Sequence, residues 1–274
     1  MDIFGSNLFF GDFVAYNHGV MIGSFNTTMG SQESLGFTSS TQEVFVGDNP
    51  IPIYLGDNYS EKLTFTFTLI KSSSVHFNRN LSEYFSENEC RAIIRNLTSK
   101  RGYQWLQIVH TNIDEEFFYK AKVNNISYEK IGGSVAGIVV DVECDSCFAW
   151  SKEYSVPIAA KANIPFYIFN NTDDLINYVY PVCAIVPSSS GTLEILNHSD
   201  NEWTTSIKNV QGQESITMDS KNEILSSTSP SHTLILNDFN LNWIRLIPGQ
   251  NKITSNMDAR FTFTYRVPRK VGIV

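Results

Sequence analysis

The side chains able to do chemistry in this sequence are paired cysteines, histidines, adjacent carboxylates and tryptophans. Cys144-Asp145-Ser146-Cys147 has the spacing of a redox pair or of half a zinc site. A tetrahedral zinc site takes four ligands, and neither a second CxxC nor an HxxxH accompanies it. A redox pair belongs on a strand-to-helix turn. This one ends a predicted strand, Val135 to Val142, so two structural thiols are expected. The five histidines, His18, His76, His110, His198 and His232, are scattered with no second ligand at a useful spacing. Asp114-Glu115-Glu116 and Asp173-Asp174 could supply the two carboxylates of a glycosidase, but both fall in polar turn stretches where solvated charge is the default. Gly133-Ser134-Val135-Ala136-Gly137 is not the GxSxG elbow and lies between two strands, so a hairpin turn explains it. No GxxxxGK[ST] phosphate loop occurs. Trp203 and Trp243 could stack on sugar rings if exposed on a β-sandwich. Trp243 sits in the apolar run Trp243-Ile244-Arg245-Leu246-Ile247, which favours core packing. No catalytic residue, metal site or cofactor is expected.

The elements that position these groups read mostly in period two. In Lys62-Leu63-Thr64-Phe65-Thr66-Phe67-Thr68-Leu69 the apolar side chains share one face and threonines the other, the pattern of a half-buried strand. Phe117 to Val123 and Val135 to Val142 follow, with Gly132-Gly133 as a permissive turn between them. The pattern resumes at Tyr178 to Val186, Thr192 to Leu196, Ser215 to Met218, Trp243 to Ile247 and Arg260 to Val267. One helix is signalled near 86–99. Ser86 and Glu89 make a capping box, Phe85 and Cys90 could staple it, and Cys90, Ile93, Ile94 and Leu97 form an apolar stripe that Gly102 ends. Trp105 and Leu106 are expected beneath it. The fold class is therefore mostly β with one short helix.

Alternation is lost around Trp150 to Pro157. The expected division is an N-terminal domain at 1–152, a linker at 153–164, a β-sandwich at 165–266 and a tail at 267–274. Ser226-Ser227-Thr228-Ser229-Pro230-Ser231 reads as a mobile loop. Residues 26–60 are long and polar for a plain connection, and a β-hairpin or arm is one reading of them.

Composition excludes several classes. The chain has 274 residues, 42% apolar and 18% charged, which argues against disorder. A formal charge of −8 leaves no broad basic field for nucleic acid or for an anionic membrane. No window approaches the ~20 apolar residues of a membrane helix. Met1-Asp2-Ile3-Phe4-Gly5 has an acid where a signal peptide needs a positive charge, so folding in a cytoplasm with Cys90, Cys144, Cys147 and Cys183 reduced is expected.

The order of segments resembles the distal tail (Dit) proteins of long-tailed phages. The segments are Phe9-Phe10-Gly11-Asp12-Phe13, Glu61 to Phe67, the helix running into Gly102-Tyr103-Gln104-Trp105-Leu106-Gln107-Ile108, Phe118 to Val123 and Val139 to Cys147. Gly191 to Asn197, Pro248 to Ile253 and Phe263 to Arg269 follow in the second half. Each is an ordinary strand or turn, and the succession over nearly the whole chain carries the resemblance. It implies a structural virion protein with an N-terminal ring-forming domain and a galectin-like (jelly-roll) β-sandwich outside it. Such a protein forms a homohexameric ring at the tip of the tail tube. It joins the major tail tube protein to a tail-associated lysin, hub or fibre protein and surrounds the passage of the tape-measure protein and DNA. The family has no catalytic residues. The competing reading is a carbohydrate-binding module using Trp203 and Trp243, and an enzyme of the glycosidase or esterase type ranks below both.

Overall fold

Leu63, Phe65, Phe67 and Leu69 all turn into one core, each at most 5% exposed, while the intervening threonines face outward. This is seen in a computed structural model of the chain, which describes residues 7–23, 40–46, 51–58, 62–72, 82–109 and 116–270. Each large apolar side chain buried this way contributes roughly 1.5–3 kcal/mol. The chain divides into two compact units, Met1–Ser151 with Arg269–Val274, and Lys152–Pro268.

The strands of the first unit are β1 (Asn7–Phe10), β2 (Phe13–Val14), β3 (Val20–Gly23), β4 (Ser40–Val44), β5 (Ile53–Asn58), β6 (Thr64–Lys71), β7 (Gln104–Val109), β8 (Phe118–Ile131), β9 (Ser134–Cys144) and β10 (Ala149–Trp150). Helix α1 (Glu87–Thr98) lies between β6 and β7. The main sheet runs β2-β1-β7-β8-β9-β6-β3, with β10 beside β8. Its inner face holds Leu8, Phe10, Leu106, Ile108, Ile138, Val140 and Val142, and α1 packs Cys90, Ile93 and Leu97 into the same core. The capping box forms as expected: Glu89 N donates to Ser86 Oγ, and Ser86 N donates to Glu89 Oε2 at 2.7 Å. Glu89 also pairs with Lys71, whose ammonium lies over the Phe85 ring. Gly132 and Gly133 join β8 to β9 with φ of +58° and +88°, a two-residue turn open to glycine.

Trp105 does not lie under α1. Along β7 alternate residues face opposite sides, so burying Leu106 and Ile108 turns Trp105 outward. Within the segment 26–60, β4 and β5 pair antiparallel as a two-stranded sheet of their own, while 26–39, 47–50 and 59–60 lie outside the described residues.

The second unit is built from β11 (Tyr154–Ala160), β12 (Phe166–Asn170), β13 (Val182–Pro187), β14 (Gly191–Asn197), β15 (Trp203–Val210), β16 (Ile216–Asp219), β17 (Ile224–Ser227), β18 (Gly249–Ser255) and β19 (Ala259–Tyr265). They form two antiparallel sheets, β11-β19-β13-β16-β17 and β12-β18-β14-β15. Cys183, Ile185, Phe261 and Phe263 from one sheet share a core with Ile168, Leu193, Ile195 and Ile253 from the other. Phe166 bridges them, its ring 5.6 Å from that of Phe261. The mostly β expectation holds in both units, and this one is a β-sandwich.

Five expected segments differ here. Residues 153–164 contain β11, which pairs with β19 from end to end, so they do not form a linker. Trp243 to Ile247 is not a strand: Leu246 alone bridges to Val179, and Tyr178 to Pro181 precede β13 without joining it. Ser226 to Ser231 finishes β17 and enters a 3-10 turn, held by Ser227 Oγ donating to Glu214 Oε2 at 2.8 Å. Of the expected tail, Pro268–Arg269 forms β20, which pairs with β10 in the first unit's sheet.

Candidate functional site

Three of the four thiols, those of Cys90, Cys144 and Cys183, are poor nucleophiles. Cys144 is buried, and burial with the Asp145 and Glu143 carboxylates nearby pushes its thiol up to about 12. Burial also raises Cys183 and Cys90 above the ordinary thiol range. Cys90, Cys144 and Cys183 form no disulfide, and a raised thiol is the opposite of an activated one.

The described histidines and Asp174 are engaged with neighbouring side chains or backbone. His18 stacks on Phe13 at 4.9 Å. His198 lies within hydrogen-bond distance of Glu202 and Thr254. His232 is buried between Glu214 at 3.2 Å and Asp238 at 3.3 Å. Asp174 accepts the backbone N–H of Ile176 and Asn177 and the Asn177 side chain, so it shapes a turn. Glu116 is exposed, and Asp114, Glu115, His76 and His110 lie outside the described residues. Among the described residues no group of three His, Cys, Asp or Glu side chains could hold a metal.

The two tryptophans are adjacent but do not make one platform. Trp203 Nε1 donates to the Trp243 carbonyl at 3.0 Å. The Arg245 guanidinium covers the Trp203 ring at 3.6 Å and lies 4.1 Å from the centre of Tyr178. Buried Asp200 fixes that guanidinium, accepting from Nε at 2.6 Å and Nη2 at 3.3 Å. Trp243 meets Phe239 edge to face and packs against the sandwich core. Arg245 was invisible as a partner in the sequence, because only the Leu246–Val179 bridge brings its segment to Tyr178.

Surfaces are the more distinctive features. On the outward face of the first unit's sheet, Glu143 lies within reach of Asn124, Tyr103, Lys62 and Lys122. Hydrogen bonds from Asn124, Tyr103 and Lys62 pull its carboxyl down to about 2. Beside it Asp141 accepts from Thr66 at 2.6 Å and Asn125 at 3.0 Å, which lowers that carboxyl too. This part of the sheet face is knit by polar pairs. Farther along the same face Phe9, Trp105 and Phe118 surround Gln107, which is cross-strand partner to both Phe9 and Phe118.

The β4–β5 hairpin is different again. Phe45, Val46, Ile51, Ile53, Tyr54 and Leu55 are 52–72% exposed. The segment expected to be polar therefore carries the densest exposed apolar run of the first unit's described residues. Its sequence signal is an apolar run without alternation, Val44-Phe45-Val46 and then Ile51-Pro52-Ile53-Tyr54-Leu55.

Comparison with known proteins follows the same two-part division. Residues 4–146 match a family described as phage tail protein N-terminal domain, and residues 148–265 match one described as phage tail C-terminal domain. No curated protein matches the chain in sequence. The solved Dit protein of phage SPP1, a hub of the adsorption apparatus of phages infecting Gram-positive hosts, is 9% identical with a TM-score of 0.63 over 95% of this chain and 98% of that one. A chain of the phage P2 baseplate, in its activated conformation with Ca, is 11% identical with a TM-score of 0.51 over 94% of each chain. At such identities the likeness is one of fold.

Proposed function

The chain belongs to the phage tail protein family through both its N-terminal and its C-terminal domain, and from that premise we propose that it is the distal hub of a siphophage-type tail. Six copies close into a ring that joins the tube protein above to a lysin, hub or fibre protein below. The tape-measure protein and then DNA pass through its centre. Copies assemble in the host cytoplasm and are carried on the tail tip. The supporting observation is that one continuous fold resemblance to a phage hub protein spans 95% of the chain, across both units.

The chemistry of the chain fits assembly better than catalysis. Cys90, Cys144 and Cys183 are buried with their thiols raised, and Asp174 is engaged in shaping a turn. A ring needs heterologous contacts that close on themselves, and sheet edges can supply them. The net charge of −8 suits a lumen past which DNA slides rather than sticks.

Light scattering and electron microscopy test the proposal. The expected result is a six-fold ring with a mass near six times 30.9 kDa. A strict monomer at high concentration that binds neither tube nor hub protein would defeat it. A glycan-binding role is the second reading, and it is favoured by Tyr167 and Phe169. These neighbours on one face of edge strand β12 are 53% and 63% exposed. Wall-polysaccharide pulldown that fails in Tyr167→Ala/Phe169→Ala but survives Trp203→Ala would establish it there. Retention in the double variant would remove it.

A further inference from the structure

We propose that the outward face of α1 is the docking surface for an acidic segment of a partner protein, whose carboxylates Arg91, Arg95 and Arg101 take one by one. The inference goes beyond the ring reading and holds for a single copy of the chain.

The sequence gathers cations where acids are missing. Arg91, Arg95, Lys100 and Arg101 fall in one short stretch, and no Asp or Glu occurs between Glu89 and Asp114. The whole chain carries a formal charge of −8, so this stretch opposes the sign of the rest. Helix α1 buries Cys90, Ile93 and Leu97. A period of 3.6 then turns Arg91 and Arg95 away from that stripe. Both are exposed, as are Lys100 and Arg101 just past the helix end.

Arg91, Arg95 and Arg101 form no ion pair among the described residues. The other described arginines are engaged. Arg245 holds Asp200, Arg266 lies 3.9 Å from Glu153, Arg260 reaches Gln213 at 3.5 Å, and Arg269 is buried. Nearby acids are engaged too: Asp12 pairs with Lys100, and Glu89 is held by Lys71 and by the Ser86 cap. Glu87 stands one turn before Arg91 without pairing to it. A cation near a helix C-terminus suits the dipole, which accounts for Arg95. It does not account for Arg91, which lies in the N-terminal half of α1.

Charge and spacing select the occupant. The planar fork of arginine fits a carboxylate at two points. Arg91 and Arg95 stand one turn apart, about 6 Å along the axis, and Arg101 extends the row to roughly 15 Å. A partner helix with Glu or Asp at every fourth residue repeats that spacing. Ala92 and Ile94, half-buried beside the arginines, offer apolar surface that a peptide side chain can cover. Duplex DNA fits less well. Three free cations neutralise few phosphates, and the net charge of the chain repels a long polyanion.

Fluorescence anisotropy on the full chain tests this, with a helical probe peptide of about 20 residues, alanine with glutamate at every fourth position. The wild type should bind it at low salt and release it as salt rises past about 0.15 M. Arg91→Glu/Arg95→Glu should weaken binding by about tenfold or more, and Arg101→Glu, outside the helix, by about threefold. Arg260→Glu, in the other unit, should leave it within about twofold. These side chains are exposed, so circular dichroism should show every variant folded like the wild type. A peptide of the same composition with its glutamates spread around the helix should bind about fivefold more weakly. A wild type that does not bind the probe, variants that bind it unchanged, or equal binding of both peptides would each overturn the proposal. So would tighter binding of a DNA duplex through the same arginines, which would assign the face to nucleic acid. Self-association of the wild type that is lost in Arg91→Glu/Arg95→Glu would assign the face to a second copy, and would overturn it as well. The ring reading is tested separately, by the mass of the assembled species.

Discussion

Strand pairs β6–β9 and β4–β5 are both rich in apolar residues, and their fates are opposite. In β6, Phe65, Phe67 and Leu69 alternate with threonines, and all three are buried. Across from them Ile138, Val140 and Val142 of β9 enter the same core, while Asp141 and Thr66 hydrogen-bond on the outer face. In β4–β5 the apolar residues run together without alternation, and both faces of the ribbon end exposed. Apolar content alone therefore does not decide burial. The period decides whether a strand can turn one face to its own core, and a run that breaks the period keeps apolar surface for something else.

That contrast can be broken or sharpened by mutation. Phe67→Ala should cost about 3–5 kcal/mol, because a fully buried ring leaves a cavity; denaturant unfolding of the isolated chain measures it. Gly23→Ala should cost about 1 kcal/mol or less, since an added Cβ would meet Cδ1 and Cγ1 of Ile70 on β6, a half-buried side chain whose end can turn aside. Native thermal scans would show that loss, and an unchanged midpoint would mean the β3–β6 edge is loosely packed. Ser86→Ala should cost about 1 kcal/mol by removing half of the capping box, with amide exchange rising first at the start of α1.

A smaller effect is expected on the outer face. Glu143 is held at about 2 against an ordinary 4.5, a depressed acid. Its stabilisation is complete above 4.5 and is lost as pH falls toward 2. Acid unfolding should therefore lose part of its dependence in that window in Glu143→Gln. A carboxyl titrating near 4.5 by NMR would refute the network. The smallest effect is Tyr54→Ala, expected within about 0.5 kcal/mol for the monomer. A Tyr54→Ala cost equal to that of Phe67→Ala would erase the distinction between the two strand pairs.

What the sequence disclosed was local. The β6 alternation, the Ser86–Glu89 box and the Gly132-Gly133 turn each depend on neighbours within a few residues, and each formed where expected. What stayed hidden depends on distant partners. β11 is a strand because β19 lies beside it, although Pro157 and the alanines following it give little pattern of their own. Trp243 to Ile247 looks like a strand and yet bridges only at Leu246, because its neighbours are claimed by Asp200 and the Trp203 indole. Trp105 and Leu106 could not both face α1, and only the register of β7 shows which one does. At the candidate surfaces the tryptophans drew notice by residue type, whereas the hairpin end was marked by a broken period.

The main sheet also shows where this architecture can be edited. The chain leaves it after β10 and re-enters through β20, the strand that pairs with β10. Exit and return therefore lie about one strand spacing apart, near 4.8 Å. Along the chain the second unit is thus inserted between two neighbouring strands of the first unit's sheet. An insertion at such a point leaves the two cut ends side by side, so a variant in which a short linker joins β10 directly to β20 keeps the register of that strand pair.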